Sequence, residues 1–239
     1  MQTIGVIGAG QMGAGIAQVS AQAGYDVLLS DVDLARAEAG KAGIAKQLER
    51  LVAKEKIDAT ARDAALARIV PVGDVAAMAG CELVIEAATE REEIKRAIFA
   101  AVGKVLGTDA VLASNTSSIP ITRLAQAAPD PTRFVGVHFF NPVPVMGLIE
   151  LIRGLATSDA TVAAVENYAG KLGKRVVRAN DAPGFIVNRV LMPMLNEACF
   201  ALGEGVATIP DIDAACQLGL NHPMGPLTLA DFIGLDTCL

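Results

Sequence analysis

The sequence is poor in the residues that metal sites and disulfides require. It contains two histidines and four cysteines among 239 residues. The cysteines are far apart, show no C-x-x-C spacing and lie mostly in apolar surroundings, a pattern that favours reduced, packed thiols over disulfides or a metal centre. The sequence therefore predicts no metal site and assigns the cysteines no function.

Charge of one sign is not concentrated in any segment either. The formal net charge is −6, and the 20 lysines and arginines are scattered, so the chain offers no basic surface for nucleic acid or anionic lipid. No apolar run reaches the ~18 residues that a membrane helix needs, and no basic leader or cleavage site precedes Thr3. We expect a cytoplasmic protein that binds neither nucleic acid nor membrane.

What the chain does contain is a series of short, nearly continuous apolar runs separated by alanine-rich stretches. Such runs, alternating with helices, indicate a parallel sheet covered on both faces. The sequence predicts a Rossmann-type, doubly wound α/β fold with a mainly parallel sheet. The predicted strands are 3–8, 26–30, 68–72, 82–87, 110–114 and 133–140, extended by 148–151 and 174–179.

The pattern changes after residue 180, where Pro183 and Gly184 interrupt the chain and a long apolar helix follows, ending near Gly203–Gly205. No strand is predicted beyond this point. We place an α/β domain at 1–180 and an all-helical domain at 181–239. Because the sequence stops at "TLADFIGLDTCL", an apolar helix without a cap, we expect the helical domain to be cut short.

The segment "VIGAGQMGAGIA" carries glycines at positions 8, 10 and 13, directly after a strand and at the start of a helix. In this setting G-x-G-x-x-G permits a tight turn, a close approach of the backbone to a pyrophosphate, and close helix–strand packing. An ordinary strand–helix turn is the alternative. Asp31 lies at the end of the second strand. Its spacing along the sequence from the glycine loop is the one at which an acidic side chain meets the adenosine ribose. A carboxylate there repels a 2′-phosphate, so NAD is favoured over NADP.

The segment "HFFNPVPVMGLIEL" places His138 at the carboxyl end of the sixth strand, the sheet edge where ligands bind in open α/β folds. A kinked loop between two strands would bring Glu150 back beside the ring. A carboxylate there would fix the imidazole tautomer and raise its basicity. The alternatives are a hydrogen-bonded core histidine and a solvated glutamate at a strand edge.

Five ordered motifs, "VIGAGQMGAGIA", "SNTSSIPIT", "VGVHFFNPVPVMGLIEL", "DAPGFIVNR" and "HPMGPLTLADFIGLD", resemble those of the 3-hydroxyacyl-CoA dehydrogenases over the whole chain. These are NAD-dependent, L-specific enzymes of fatty-acid β-oxidation and short-chain acyl-CoA pathways. The resemblance implies an acyl-CoA substrate, NAD as the cofactor and a homodimer in the full-length protein. Members of this family carry further C-terminal helices that mediate dimerisation, and this sequence ends before them.

The same resemblance assigns roles to individual residues. It makes His138 the catalytic base, Glu150 its carboxylate partner, Ser117 a hydroxyl that contacts the reacting oxygen, and Asn188 an amide that positions substrate in a cleft between the domains. It gives Lys54 to the CoA phosphates. For His222 we expect a structural role, because it lies in a turn between helices of the second domain with no other candidate catalytic residue near it in sequence. The residues expected to hold the cofactor are Gly8, Gly10, Gln11, Met12, Gly13, Asp31, Glu90, Lys95, Asn115, Ser117 and Asn141.

Several of these positions also have a plainer interpretation. Glu90 and Lys95 lie in "EREEIKR", which could be a solvated charge run, and Lys54 could serve solubility alone. Asn188 could be a polar residue on an exposed helix face. Two other functions fit the glycine loop: a dehydrogenase of free hydroxy or sugar acids, and a crystallin-like protein that binds NAD without turnover.

Overall fold

The computed structural model describes residues 1–238, which form two compact units: Met1–Phe185, and the described residues from Ile186 onward. The first unit contains all eight strands found in the described residues and six α-helices. Its strands are β1 (Thr3–Ile7), β2 (Asp26–Ser30), β3 (Ile69–Val72), β4 (Leu83–Glu86), β5 (Val111–Ser114), β6 (Phe134–Phe139), β7 (Leu148–Arg153) and β8 (Arg175–Asn180). Its helices are α1 (Gln11–Gln22), α2 (Leu34–Ala53), α3 (Ala59–Ala67), α4 (Glu92–Val102), α5 (Ile121–Ala125) and α6 (Asp159–Lys171).

The sheet is covered by apolar side chains on both faces, as the sequence predicts. Alternate residues of one strand enter two separate buried clusters: Ile85 packs in the cluster that contains residues of α1, α2 and α6, whereas Val84 packs in the cluster that contains residues of α4 and α5. Burial on both faces explains why these strands are continuously apolar. The doubly wound fold is confirmed.

The strand order is β3-β2-β1-β4-β5-β6-β7-β8, and the first six strands are parallel. β7 pairs antiparallel with β6, and β8 runs parallel to β7. Only residues 140–147 connect β6 to β7. A parallel crossover needs a dozen or more residues, so the short connection forces the chain to reverse. The sheet is therefore mainly parallel, with two reversed strands at one edge.

The order of the strands reverses at β1, whose neighbours are β2 on one side and β4 on the other. In open α/β sheets ligands bind outside the carboxyl ends of the strands at this reversal. The register pairs Ile7 with Glu86 and Glu86 with Ser114, so the carboxyl ends of β1, β4 and β5 are aligned. Side chains that follow these strands therefore share one edge of the sheet.

The first unit extends a few residues past the predicted boundary at 180. The Asp181 carboxylate accepts hydrogen bonds from the backbone N–H groups of Ile121 and Thr122, at 2.8 and 2.7 Å, and so caps α5. The Phe185 side chain is buried. These contacts attach 181–185 to the sheet domain and move its end to Phe185.

The described part of the second unit contains four helices and no strand. The helices are α7 (Val187–Gly203), α8 (Ile209–Gly219), α9 (Pro226–Ile233) and α10 (Leu235–Cys238). The buried Asp213 carboxylate of α8 accepts hydrogen bonds from the backbone N–H groups of Leu227 and Thr228 in the first turn of α9. This cap fixes the position of the first turn of α9 against α8. None of the helices within residues 1–238 is long and apolar enough to cross a membrane.

Candidate functional site

The glycine loop joins β1 to α1 with the geometry that a pyrophosphate site needs. Gly8 has a φ of +101°, a backbone angle that residues with a side chain rarely adopt. A Cβ there would lie 2.5 Å from the Ala87 carbonyl oxygen. A Cβ on Gly13 would lie 1.7 Å from the carbonyl oxygen of Gly8, so only glycine permits this close packing. Within residues 1–238, no atom other than those of Gly10 and its chain neighbours lies within 4 Å of a Cβ built on Gly10. The backbone there is open to a ligand at the N-terminus of a helix.

Asp31 lies against this loop from the end of β2. One carboxylate oxygen accepts a hydrogen bond from the Ala9 N–H at 2.6 Å, and the other accepts one from the Val32 N–H at 2.8 Å. The Arg36 Nε lies 3.4 Å from Asp31 Oδ1, and its side chain is largely exposed. The carboxylate is thus held at the mouth of the loop, where a ribose bound to the pyrophosphate site would present its hydroxyls.

A cavity of about 480 Å³ opens beside the loop. Its wall combines α1, α2 and the segment between β6 and β7, so it brings together positions that are more than 100 residues apart in sequence. Four of the residues predicted to hold the cofactor line it: Gly10, Gln11, Asp31 and Asn141. Met12, in contrast, is half-buried and packs against the core beneath the loop.

His138 and Glu150 are opposite residues in the β6–β7 pair, and His138 Nδ1 lies 2.8 Å from Glu150 Oε2. Both residues are buried, with 7% and 0% of their surface exposed. An ionised carboxylate accepts from an N–H, so the neutral ring carries its proton on Nδ1 and leaves Nε2 as the basic nitrogen. The rings of Phe140 and Phe185 lie 4.5 and 5.8 Å from the imidazole, centroid to centroid.

Asn115, just after β5, connects the histidine strand to its neighbour. Its side-chain oxygen accepts a hydrogen bond from the Phe139 N–H at 2.9 Å, and its own N–H donates to the Glu86 carbonyl oxygen at 2.8 Å. The amide therefore fixes the end of β6 directly after His138.

Glu90 organises the serine-rich loop that follows β5. Its Oε1 accepts hydrogen bonds from the Thr116 hydroxyl at 2.6 Å, from the Ser117 N–H and hydroxyl at 2.8 and 3.1 Å, and from the Ser118 N–H and hydroxyl at 3.2 and 3.1 Å. Burial is the largest influence on the pKa of this carboxyl and raises it. The hydrogen bonds and the charge of Lys95 outweigh burial, so the net pKa is lowered.

Lys95 does not lie in a solvated charge run. Its side chain is 1% exposed, and its ammonium lies 2.6 Å from Glu86 Oε2 and 3.6 Å from Glu90 Oε2. Sequence reasoning missed Glu86 altogether. The available signal was an acidic residue inside the apolar strand "LVIE", followed nine residues later by a lysine.

The remaining predicted positions lie elsewhere in the fold. Lys54 is exposed directly after α2, at the turn toward α3. Asn188 is half-buried in the first turn of α7, within the second unit. His222 follows α8, and its N–H donates to the carbonyl oxygen of Cys216 at 3.3 Å.

Burial raises the pKa of the Cys81 thiol to about 11, which leaves this thiol unreactive near neutral pH.

The reversed strand order, the glycine loop and Asp31 together define a dinucleotide-binding α/β protein, and the buried histidine–carboxylate pair at the same edge is typical of a dehydrogenase. Two family models match the chain. The model of the 3-hydroxyacyl-CoA dehydrogenase NAD binding domain matches residues 3–182, and that of the 3-hydroxyacyl-CoA dehydrogenase C-terminal domain matches residues 184–239. The chain belongs to the 3-hydroxyacyl-CoA dehydrogenase family, and its cofactor is NAD.

Individual relatives are similar over the whole chain. A 3-hydroxybutyryl-CoA dehydrogenase of Bradyrhizobium diazoefficiens is 55% identical over 239 residues, which are 100% of this chain and 82% of the relative. A probable 3-hydroxybutyryl-CoA dehydrogenase of Deinococcus radiodurans is 53% identical over 235 residues, 98% of this chain and 84% of the relative. The crystal structure of the (S)-3-hydroxybutyryl-CoA dehydrogenase PaaH1 from Ralstonia eutropha superposes with a TM-score of 0.97 at 49% identity, covering 100% of this chain and 84% of that one.

These matches confirm the family that the five sequence motifs indicate. They give no support to the prediction that the helical domain is cut short, because the C-terminal domain model matches from residue 184 through residue 239.

Proposed function

We propose that this protein interconverts L-3-hydroxyacyl-CoA and 3-ketoacyl-CoA with NAD(H), with His138 as the acid–base residue. The observation that carries this assignment is the buried 2.8 Å contact between His138 Nδ1 and Glu150 Oε2 at the ligand-binding edge of the sheet. NAD held by this chain would supply the hydride acceptor for oxidation, and NADH the hydride donor for reduction. The relatives named 3-hydroxybutyryl-CoA dehydrogenase favour a short acyl chain.

His138 moves the proton. During oxidation its Nε2 takes the proton of the substrate hydroxyl, and during reduction the imidazolium returns a proton to the carbonyl oxygen. Glu150 holds the tautomer with the proton on Nδ1 and stabilises the positive charge that the ring gains. Because the pair is buried, little water competes for either group.

Ser117 and Asn188 supply hydrogen-bond donors to the substrate in this proposal. A donor aimed at the oxygen where negative charge develops stabilises the transition state more than the ground state. Ser117 follows β5 at the same sheet edge as His138, and its N–H and hydroxyl both donate to Glu90. A serine hydroxyl has one proton, so in this proposal the hydroxyl turns from Glu90 to the substrate oxygen while the N–H stays on the carboxylate. Asn188, in the first turn of α7, is assigned to the thioester by its match to the family motif.

The cofactor is held by the glycine loop and the residues around it. Gly8, Gly10 and Gly13 admit the pyrophosphate, Asp31 meets the adenosine ribose, and Gln11, Asn115 and Asn141 complete the walls. Met12, which packs against the core, supports the loop that holds the cofactor. Gly10 supports this arrangement because, among the described residues, no atom beyond its chain neighbours lies within 4 Å of its Cβ position. Glu90 contributes an ionised, partly exposed carboxylate at the nicotinamide end, and Lys95 contributes through Glu90 rather than directly.

The remaining assignments concern the substrate tail and the assembly. Lys54 is exposed beyond α2 and provides a positive charge for the CoA phosphates. The helical domain, residues 186–239, is assigned to substrate binding and to the contacts of a homodimer. We place the protein in the cytoplasm, where its acyl-CoA substrate and NAD would both be available.

The test compares NADH oxidation with acetoacetyl-CoA and with free acetoacetate, using the same enzyme preparation. Rapid turnover of the thioester and little turnover of the free acid supports the proposal. Preference for free acetoacetate would indicate a hydroxyacid dehydrogenase. NADH binding without turnover of either compound would indicate a binding protein.

A further inference from the structure

Glu86 and Lys95 form an ion pair that is almost completely enclosed. The two side chains are 0% and 1% exposed, and Lys95 Nζ lies 2.6 Å from Glu86 Oε2. Removing two charges from water costs several kcal/mol per ion, and well-packed apolar residues are often as stabilising as a buried pair. Fold stability alone therefore gives weak grounds for charges at this place. Their position at the ligand-binding edge suggests a role in the reaction.

The Glu86 carboxylate is held rigidly by the sheet. It lies at the carboxyl end of β4, opposite Ser114 of β5 in the register. Its Oε1 accepts a hydrogen bond from the Ala88 N–H at 2.8 Å, and its Oε2 accepts one from the Ser114 hydroxyl at 3.1 Å. A carboxylate with these fixed donors is a firm anchor for the Lys95 ammonium.

Lys95 links the Glu86 carboxylate to the Glu90 carboxylate. The ammonium lies 3.6 Å from Glu90 Oε2, while the other oxygen, Oε1, receives the hydrogen bonds from Thr116, Ser117 and Ser118. The two oxygens of Glu90 therefore face different partners. The Lys95 charge fixes the rotation of the carboxylate, and that rotation determines where the Ser117 hydroxyl is held.

We infer that Glu86 is a positioning residue for the proposed reaction, acting through the chain Glu86–Lys95–Glu90 on the Ser117 hydroxyl. The inference rests on the proposed function, because it requires Ser117 to donate to the substrate oxygen. Without the Glu86 charge, Lys95 is attracted to Glu90 alone and the carboxylate turns with it. A displacement of about 1 Å at a reacting group costs up to ~100-fold in rate.

The first test is a double-mutant cycle between Glu86→Gln and Ser117→Ala. Glutamine keeps the size of the side chain and removes the charge; its single oxygen can accept from the Ala88 N–H, and its amide nitrogen can donate to the Ser114 hydroxyl oxygen. We expect kcat for acetoacetyl-CoA reduction to fall ~10- to 100-fold in Glu86→Gln. In the Ser117→Ala background the same change should have little further effect, since both act through one hydroxyl.

The second test separates positioning from folding. Glu86→Met with Lys95→Met replaces the ion pair by apolar side chains of similar length, which should leave the melting temperature near that of the parent. Activity should stay low, because Glu90 has lost the cation that orients it. Lys104→Met, at an exposed lysine that makes no side-chain hydrogen bond or ion pair within residues 1–238, is the matched control.

Parental kcat in Glu86→Gln, equal effects of Glu86→Gln in both backgrounds, or full activity in the Met–Met variant would each overturn the inference. If the Met–Met variant does not fold, the double-mutant cycle decides alone. A parent enzyme that fails to turn over acetoacetyl-CoA contradicts the proposed function instead. An active parent with unaffected Glu86→Gln contradicts only the positioning role.

Discussion

His138 and Glu150 face each other across the only antiparallel strand pair described in residues 1–238, with Nδ1 2.8 Å from Oε2. Directly opposite residues of an antiparallel pair project from the same face of the sheet, so the contact is fixed by strand register. The eight-residue connection between β6 and β7 sets that register. The pair is therefore positioned by the pairing of two strands, in a register that this connection sets.

Replacing the base tests this pair first. His138→Gln should lower kcat for acetoacetyl-CoA reduction by ~10²–10⁴, the usual loss for a general acid–base residue. NADH affinity should change little, because the glycine loop and Asp31 are unaltered. Fluorescence titration of NADH and circular dichroism check binding and folding.

The second histidine of the chain provides the matched control. His222→Gln should retain near-parental kcat, since no catalytic role is assigned to His222. Equal losses in the two variants, or an active His138→Gln enzyme, would remove His138 from the mechanism.

The carboxylate partner has a separate signature. Glu150→Gln keeps an oxygen that accepts from the Nδ1–H but loses the negative charge beside the imidazolium. A hydrogen bond to a charged group contributes ~1.5–3 kcal/mol, so kcat should fall roughly 10- to 100-fold. Steady-state kinetics with acetoacetyl-CoA measure the loss.

A surface glutamate shows whether that loss is specific to the buried site. Glu166→Gln removes an exposed ion pair with Arg178 and should leave kcat unchanged. A Glu150→Gln variant as active as Glu166→Gln would return Glu150 to a purely structural role.

Most of the fold was predictable because the apolar pattern along the chain and the positions of individual glycines indicate the same structure. Apolar runs mark all eight strands, and Gly8 and Gly13 occupy positions where a Cβ would collide with backbone. The reversed direction of β7 was not predicted. It depends on the length of one connection, residues 140–147, and hydrophobic pattern alone carries no information about strand direction.

The candidate site was predictable where a side chain lies near the end of a strand. His138 and Glu150 were predicted to pair, and the structure brings them into contact. The buried chain from Glu86 to Glu90 was not predicted. Its members are nearest neighbours only once α4 packs against the sheet, and a run such as "EREEIKR" is indistinguishable from a solvated helix before that packing is known.

Cofactor selectivity should depend on Asp31 and Arg36 together. The Asp31 carboxylate should disfavour NADPH by ~1–3 kcal/mol, or roughly ten- to a hundredfold in kcat/KM. Asp31→Ser should bring kcat/KM for NADPH closer to that for NADH, because it removes the negative charge. It also frees the Arg36 guanidinium, whose Nε lies 3.4 Å from Asp31 Oδ1. A free arginine at this edge can receive a 2′-phosphate.

The contribution of Arg36 is isolated by a second substitution. Adding Arg36→Gln to Asp31→Ser should reverse part of the gain for NADPH, whereas Arg36→Gln alone should leave the preference for NADH in place. Comparable kcat/KM for NADPH and NADH in the parent enzyme would contradict the role given to Asp31.

Lys174 should stabilise the segment between β6 and β7. Its ammonium donates hydrogen bonds to the carbonyl oxygens of Val143 and Met146, at 2.7 and 2.6 Å, and burial lowers its pKa. Lys174→Met keeps the apolar stem and removes both donors. Because Val143 lines the cavity beside the glycine loop, we expect the Kd for NADH to rise ~3- to 10-fold, up to about 1.4 kcal/mol.

Isothermal titration with NADH measures this change. Lys174→Arg should recover part of the affinity, since a guanidinium can donate to two carbonyl oxygens. The exposed Lys104→Met serves as the control for loss of one positive charge. Unchanged NADH affinity in Lys174→Met would show that the segment keeps its position without the lysine.

Glu90 should make the stability of the sheet domain depend on pH. Burial, the largest influence, raises the pKa of this carboxyl, but hydrogen bonds from Thr116, Ser117 and Ser118 and the charge of Lys95 bring the net pKa below its ordinary value of 4.5. A carboxyl with a lowered pKa stabilises the folded state above the unfolded pKa, and this contribution disappears as pH falls through the folded pKa.

Glu90→Gln should therefore melt below the parent at neutral pH, and the difference should shrink as the pH falls below about 4.5. Because 42% of the side chain is exposed, solvent screening limits the effect to about 1 kcal/mol, or ~2–4 °C for a chain of this size. Thermal unfolding followed by circular dichroism between neutral pH and about pH 3.5 measures the difference. Glu38→Gln, at an exposed glutamate of α2 without a side-chain ion pair in the described residues, controls for the lost charge. A deficit in Glu90→Gln that stays constant over this range, or grows toward acid, would mean that Glu90 binds the serine-rich loop without depending on its charge.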